Sequence, residues 1–439
     1  MPAQVGGWTM ISKTSPTECF VYITLPGQTD PVTAGRFELS TDRSGTPFGR
    51  FVYGRSYLDR REAVEIDPVE LKLARGLTYE TTGMKGVFGA IRDAGPDYWG
   101  RAVIERHVGK APLGELDYLL ESPDDRAGAL GFGLGSEPPA PRRKFNQTIE
   151  LEKLQKIADE LIGDEERKPT SAEAAQVQEL LLIGTSMGGA RPKAVVEDAD
   201  GLWLAKFNTA HDRWNVARVE HTMLTLARSC GLTVADSHVI DVGGRDVLMV
   251  KRFDRTKTKD GYLRGRMVSA LTLLRADDTH NTRDRWSYVL LAEELRRVTA
   301  DPKRTAHELF RRMVFNGLIS NTDDHPRNHA ALAMNDGWAL SPAYDLTPTN
   351  PVSIERRDLA LICGNAGRYA NSANMLSQCA RFLLSEAEAA EIIAGMKDNV
   401  GGTWYATARA QGVSERDCEL ISGAFVYEGF DLPLPQEGG

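Results

Sequence analysis

The chain has 439 residues, 41% hydrophobic and 8% aromatic, with a net charge of -8 and a pI near 5.6. That length is too great for one ordinary core, so two or three subdomains are expected, and the composition excludes a disordered or fibrous chain. An acidic chain lacks the basic face that phosphate neutralisation needs, which excludes a stand-alone nucleic-acid binder and leaves any DNA contact local or borrowed.

Cys19, Cys230, Cys363, Cys379 and Cys418 are scattered without CxxC spacing, so buried free thiols are expected rather than a zinc site or a disulfide framework. The opening MPAQVGGWTM does not pair a charged segment with an apolar run. No apolar stretch approaches the roughly 18–20 residues that span a bilayer. A cytoplasmic protein with no membrane contact is expected.

Short alternating runs broken by glycines, such as Cys19 to Leu25 and Gly49 to Tyr53, predict strands in an N-terminal subdomain over residues 1–140. Ser136 to Lys144 (SEPPAPRRK) reads as a linker. Leu151, Leu154, Ala158 and Leu161 recur at helical spacing and predict a helix from Thr148 to Ile162. A polar stretch then leads to a short helix ending near Ile183. Glycine-rich loop, strand hairpin, helix and strand complete a region expected over 145–255. The remainder, 256–439, is expected to be mainly helical and includes a helix from Ser385 to Lys397 opened by a capping box of Ser385 and Glu388.

The sequence GTSMGGARPK, ending at Lys193, precedes a predicted strand from Lys193 to Glu197. Its small residues let backbone N–H groups approach an anion, although an ordinary helix-to-strand turn would read the same. In the next strand Lys206 shares a face with Leu202 and Leu204. A lysine so placed is costly unless its charge is used or it snorkels out from an edge. The predicted helix from Asn215 to Cys230 sets Glu220 between Val216, Met223, Leu224 and Ala227, and a buried carboxylate calls for a cation. Lys206 is the nearest candidate in sequence. A strand lysine paired to a helix glutamate aligns ATP phosphates in protein kinases; an isolated structural ion pair is the alternative. The strand from Val247 to Val250 runs into Lys251, Arg252, Phe253 and Asp254, where a kinase hinge would offer backbone groups to adenine. Residues 251–266 hold seven basic and two acidic side chains, by default a solvated loop and otherwise a substrate or DNA contact.

The most specific signal is NTDDHPRN, Asn321 to Asn328, after a predicted helix from His307 to Ser320. Asp323 and Asn328 stand at the interval of the kinase catalytic loop, where the aspartate accepts the hydroxyl proton and the asparagine holds magnesium. Beyond a short predicted strand at Trp338 to Leu340, Asp345 stands where the second metal ligand would be. Magnesium takes few carboxylates beside water and phosphate oxygens. A helix-stop turn is the plain alternative, against which stand five elements in kinase order.

Together GTSMGGARPK, WLAKFN, VEHTMLTLARSCGL, VKRFDR, NTDDHPRN and PAYDL resemble the HipA family of serine/threonine kinases, over roughly residues 80–430. The resemblance implies an α+β, protein-kinase-like two-lobed fold with an extra N-terminal α/β subdomain and a largely helical C-terminal lobe. It implies ATP and Mg2+ as cofactors, Asp323 as catalytic base, Asn328 and Asp345 as metal ligands, and Lys206, paired to Glu220, as the phosphate-binding lysine. Gly188, Gly189, Ala190, Arg191, Pro192 and Lys193 would form the phosphate loop. Lys251, Arg252, Phe253 and Asp254 would form the hinge, with Lys251 and Phe253 meeting adenine through their backbones, and His325, Arg327 and Tyr344 would line the site. Ser186 falls on the serine that the family autophosphorylates to switch itself off.

The implied partners are a helix-turn-helix antitoxin of HipB type, operator DNA reached through that antitoxin (with Arg264 and Arg266 as candidate contacts), and a protein substrate such as an aminoacyl-tRNA synthetase. The protein would then be nucleoid-associated when in the complex. Residues Arg266 to Leu274 and the first 80 residues resemble only some branches of the family, and Pro326 departs from the loop pattern beside His325. A small-molecule kinase of the aminoglycoside or phosphoinositide type shares the Asp-x4-Asn plus Asp arrangement, and a catalytically silent co-repressor would keep the shape. The serine before the glycines argues against the first, and the intact catalytic positions against the second.

Overall fold

In the computed structural model, which describes residues 16–141, 145–147, 150–163, 191–349 and 353–434, alternating apolar residues build two five-stranded sheets. The first is antiparallel in the order β4-β3-β2-β1-β5, formed by β1 (Glu18–Thr24), β2 (Pro31–Thr41), β3 (Pro47–Tyr53), β4 (Thr78–Thr81) and β5 (Leu130–Gly133). Val21, Ile23, Phe37 and Phe51 point from it into the core. β1 and β3 are the strands expected near Cys19 and Gly49.

The second sheet has the order β6-β7-β8-β10-β9, from β6 (Asn146–Gln147), β7 (Lys193–Asp198), β8 (Gly201–Phe207), β9 (Ser237–Val242) and β10 (Arg245–Lys251). Period-2 alternation divides its residues between two faces. Ala194, Val196, Trp203, Ala205, Val247 and Met249 pack against Trp99, Val103 and Ile104 of the helix Tyr98–Val108 and Leu151, Leu154 and Ala158 of the helix Leu151–Gly163. The helix Tyr98–Val108, from the first 140 residues, thus packs on the second sheet. Lys193, Leu204, Lys206 and Val250 fall on the opposite face, and Lys193 and Lys206 are direct cross-strand partners.

Beyond residue 265 the helices Tyr288–Val298, Pro302–Leu318 and Glu386–Ala410 share a hydrophobic core with a small sheet of β13 (Arg266–Ser269), β14 (Ala330–Ala333) and β15 (Ala339–Leu340). The helix expected from His307 starts at Pro302, because Asp301 caps it by accepting from Arg304 N at 3.0 Å and Pro302 suits the first turn. The Ser385 and Glu388 capping box is present. That helix continues past Lys397 through Gly401 and Gly402, since burial of Val400 and Ala408 outweighs the weak helix propensity of glycine. The N-terminal region docks on this part through Gly89, where an added Cβ would meet Thr272 Oγ1 at 2.4 Å. Asp93 beside it accepts from Ser269 N at 2.7 Å and Thr272 Oγ1 at 2.6 Å.

The basic stretch 251–266 is not a solvated loop, and this corrects the expectation. It forms a hairpin of β11 (Arg255–Thr258) and β12 (Gly261–Arg264) with Arg252, Arg255, Arg264 and Arg266 all buried. Arg252 and Arg255 each donate to Asp254 Oδ2 at 2.7 Å, as does Gly128 N at 2.9 Å, and Arg252 also pairs with Asp125. Arg264 pairs with Asp124 at 2.6 Å, and Arg266 with Glu65 at 3.6 Å. Arg264 and Arg266 are thus engaged inside the protein rather than presented to DNA. All five cysteines are free, with only Cys230 partly exposed. Among the described residues no helix is long and apolar enough to cross a membrane.

Removing one partner from a buried ion network leaves uncompensated charge, which costs about 3–5 kcal/mol. Asp254→Ala should lower stability by about that amount in chemical denaturation; a midpoint like that of the wild type would contradict the network's role.

Candidate active site

Strand alternation carries Lys206 to the inner face of β8, where its Nζ donates to Glu220 Oε1 at 2.6 Å and to Asp345 Oδ1 at 2.8 Å. Glu220 sits mid-helix in Val216–Ser229, buried beside Val219, Met223 and Leu224 as its helical spacing predicts. Asn215 caps this helix by accepting from Arg218 N at 3.1 Å. Burial alone would push the Lys206 ammonium down, but Asp345 and Glu220 together hold it above its ordinary value. Burial likewise favours a protonated Asp345, and Lys206 overrides it to hold that carboxyl low. Lys206 and Asp345 are thus held in their charged forms, while burial pushes the Glu220 carboxyl up against the pull of Lys206.

The catalytic-loop candidate leaves the helix Pro302–Leu318 through Ser320, in the left-handed region at φ 53°. Asn321 donates to Asn316 Oδ1 at 3.1 Å, and Asn316 to the Tyr288 hydroxyl at 3.0 Å, so buried amides root the loop. The loop then folds on itself. His325 N and Asn328 Nδ2 both donate to the Asp323 carbonyl, at 2.7 and 3.4 Å. This is how the five-residue interval brings Asp323 and Asn328 together. His325 Nδ1 accepts from Arg327 N at 3.2 Å and caps the single 3-10 turn Pro326–Asn328. Proline suits the first position of such a turn, which accounts for Pro326. Asp323 is exposed, its carboxyl pushed up by partial desolvation and by the like charge of Asp345. Its neighbour Asp324 turns inward, 3.0 Å from His329 Nε2.

A cleft lies over this arrangement. Lys206, Asn328, Asp345 and Arg327 line it, with Leu204, Val250, Phe253, Met267 and Tyr344 as apolar walls. The Phe253 and Tyr344 rings lie 5.5 Å apart, and Tyr344 donates to the Arg327 carbonyl at 2.7 Å. Asp93, Gly95 and Asp97 of the N-terminal region also line the cleft. Sequence reading missed all three, since the apolar-periodic helix that Asp97 caps gives no cue to a distant site.

Lys251 lines the cleft, and its N–H donates to the Asp236 carbonyl at 2.8 Å. Arg252 also lines the cleft, while its side chain and that of Asp254 are engaged in the buried arginine network. Arg191 makes a bidentate pair with Asp212 at 2.8 and 2.9 Å, the Pro192 carbonyl accepts from Phe207 N at 3.1 Å, and Lys193 is buried against Asp97. Ser186, Gly188, Gly189 and Ala190, and the short helix expected to end near Ile183, lie outside the described residues. Among the described residues no three His, Cys, Asp or Glu side chains converge as a metal cluster. Asn328 and Asp345 nonetheless bring two oxygen donors to one cleft, which fits an ion completed by water and phosphate oxygens.

Burial, with Arg327, Arg92 and Arg283 nearby and only Asp278 opposing, pushes the His325 imidazole down to about 4. Since its ordinary value is about 6.5, the unfolded chain takes up this proton first as pH falls. Stability is therefore lost between about pH 6.5 and pH 4, by up to about 3 kcal/mol at about 1.36 kcal/mol per pH unit. His325→Gln should flatten that part of the pH–stability curve in thermal melts; an unchanged curve would show that the ring is not held neutral.

Two Sinorhizobium fredii (strain NBRC 101917 / NGR234) proteins are similar in sequence. "Putative kinase Y4mE" is 29% identical over 139 residues, covering 30% of this chain and 32% of the relative. "Putative kinase Y4dM" is 29% identical over 210 residues, covering 44% and 48%. The matched stretches thus span less than half of each of these relatives. A chain of the Shewanella oneidensis MR-1 structure titled "Toxin Antitoxin System HipA, HipB and its operator DNA complex" superposes with a TM-score of 0.66 over 92% of this chain and 94% of that one. At 16% identity that is a likeness of fold. The family described as HipA-like C-terminal domain matches residues 185–404, half of the sequence, and the chain belongs to that family.

Proposed function

We propose that the chain is an ATP-dependent serine/threonine protein kinase of HipA type, using Mg2+. The observation that carries this reading is Lys206 bridged to Glu220 and Asp345 in a cleft shared with Asn328. In phosphoryl transfer the protein contributes chiefly positioning and electrostatic stabilisation. Lys206 would hold the nucleotide phosphates, its own place set by Glu220. Asn328 and Asp345 would hold magnesium, which when bound neutralises phosphate charge. Leu204, Val250, Phe253 and Tyr344 would enclose the base. Asp323 would accept the proton of the acceptor hydroxyl as its oxygen bonds to the γ-phosphorus and the bond to the β–γ bridging oxygen breaks, releasing ADP. A carboxyl raised in basicity is suited to that task.

The same reading carries the regulatory expectations. Ser186 precedes the glycine-rich loop, and a phosphate of about -1.5 to -2 charge there would compete with ATP for the loop's N–H groups. The Shewanella chain is titled with HipB and operator DNA. For this chain we propose a helix-turn-helix antitoxin that supplies most DNA contacts, since a net charge of -8 suits a borrowed interface. The proposed target is a protein such as an aminoacyl-tRNA synthetase.

Asp323→Gln should cut transfer from ATP to protein by about 100-fold or more while nucleotide affinity stays within about twofold. Turnover near the wild-type rate would contradict the assignment. Mass spectrometry after incubation with ATP should find phosphate on Ser186; phosphate confined to other residues would exclude the proposed switch.

A further inference from the structure

We infer that Asp97, contributed by the N-terminal region, is a positioning residue for nucleotide phosphates that acts through Lys193 at the end of the glycine-rich loop. Asp97 precedes the helix Tyr98–Val108 and divides its two oxygens between two tasks. Oδ1 accepts from Gly100 N at 2.6 Å, capping the helix, and Oδ2 accepts from Lys193 Nζ at 2.5 Å. The two side chains are 4% and 1% exposed. A cap needs only an acceptor oxygen, and asparagine or serine serves as well as aspartate. Burying this carboxyl and amine carries a desolvation cost, which pushes Asp97 up and Lys193 down and which the helix alone does not require.

The location supplies the reason. Lys193 is the first residue of β7, directly after the GTSMGGARP stretch, and lies opposite Lys206 in the β7–β8 ladder. Two ammonium groups thus stand side by side on the face that bears the cleft. Lys206 is balanced by Glu220 and Asp345, and Lys193 by Asp97. Asp97 itself lines the cleft together with Lys206 and Asp345. The carboxylate therefore pins the first residue of β7 beside Lys206 and makes the N-terminal region part of the proposed phosphate site.

The inference rests on the ATP reading above, and the test separates the two. Binding of ATP with Mg2+ and of adenosine is measured by calorimetry on full-length wild type, Asp97→Asn, Lys193→Gln and the double variant, with melting temperatures alongside. Asp97→Asn keeps the cap but strands the buried Lys193 ammonium, a cost that the double variant relieves; Asp97→Ser is the second capping variant should the first not express. The expected result is ATP affinity reduced about tenfold or more with adenosine affinity within about twofold, and a double variant no weaker than the worse single one, as coupled sites require. Unchanged ATP affinity, equal losses for ATP and adenosine, or additive losses in the double variant would each overturn the inference. A wild type that binds no ATP would overturn the kinase reading itself, and the inference with it.

Discussion

One buried ammonium organises the centre of this molecule. Lys206 comes from a strand, Glu220 from the following helix and Asp345 from a segment far along the chain, and their charges are worth having only together. A lone ammonium or carboxylate at such depth would be neutralised or driven out to water. The bridge therefore fixes how the second sheet, the helix Val216–Ser229 and the segment after β15 sit against one another. It also places Asp345 within electrostatic reach of Asp323, so the position of one lysine reaches the basicity of the loop aspartate.

A second charged assembly ties the chain together beside the cleft. The arginines between 252 and 266 meet Asp124, Asp125, Glu65 and the backbone around residues 126–128, tying the first sheet's side of the molecule to the end of β10. With Gly89 against Thr272 and Asp93 against Ser269, these contacts make the N-terminal 140 residues a supporting wall of the cleft.

What the sequence revealed follows from what is local. Glu220 was legible because helical periodicity shows a carboxylate inside an apolar stripe, and Asp323 with Asn328 because their loop is contiguous and its turn brings the two together. The choice between adjacent Asp323 and Asp324 is physical as well, since one faces water and the other His329. The arginine cluster was misread because three of its four acidic partners, Asp124, Asp125 and Glu65, lie more than a hundred positions upstream, where a running charge count does not look. Lys193 was assigned to the phosphate loop by position, and only the fold shows its ammonium buried against Asp97.

The central claim is that the cleft around Lys206 transfers the terminal phosphate of ATP to a protein hydroxyl. The most direct measurement incubates the purified protein and a cell lysate with Mg2+ and ATP labelled at either the γ or the α position, and follows label in protein. Label from the γ position alone is the predicted result. Label arriving from the α position, or none from either, would contradict the account.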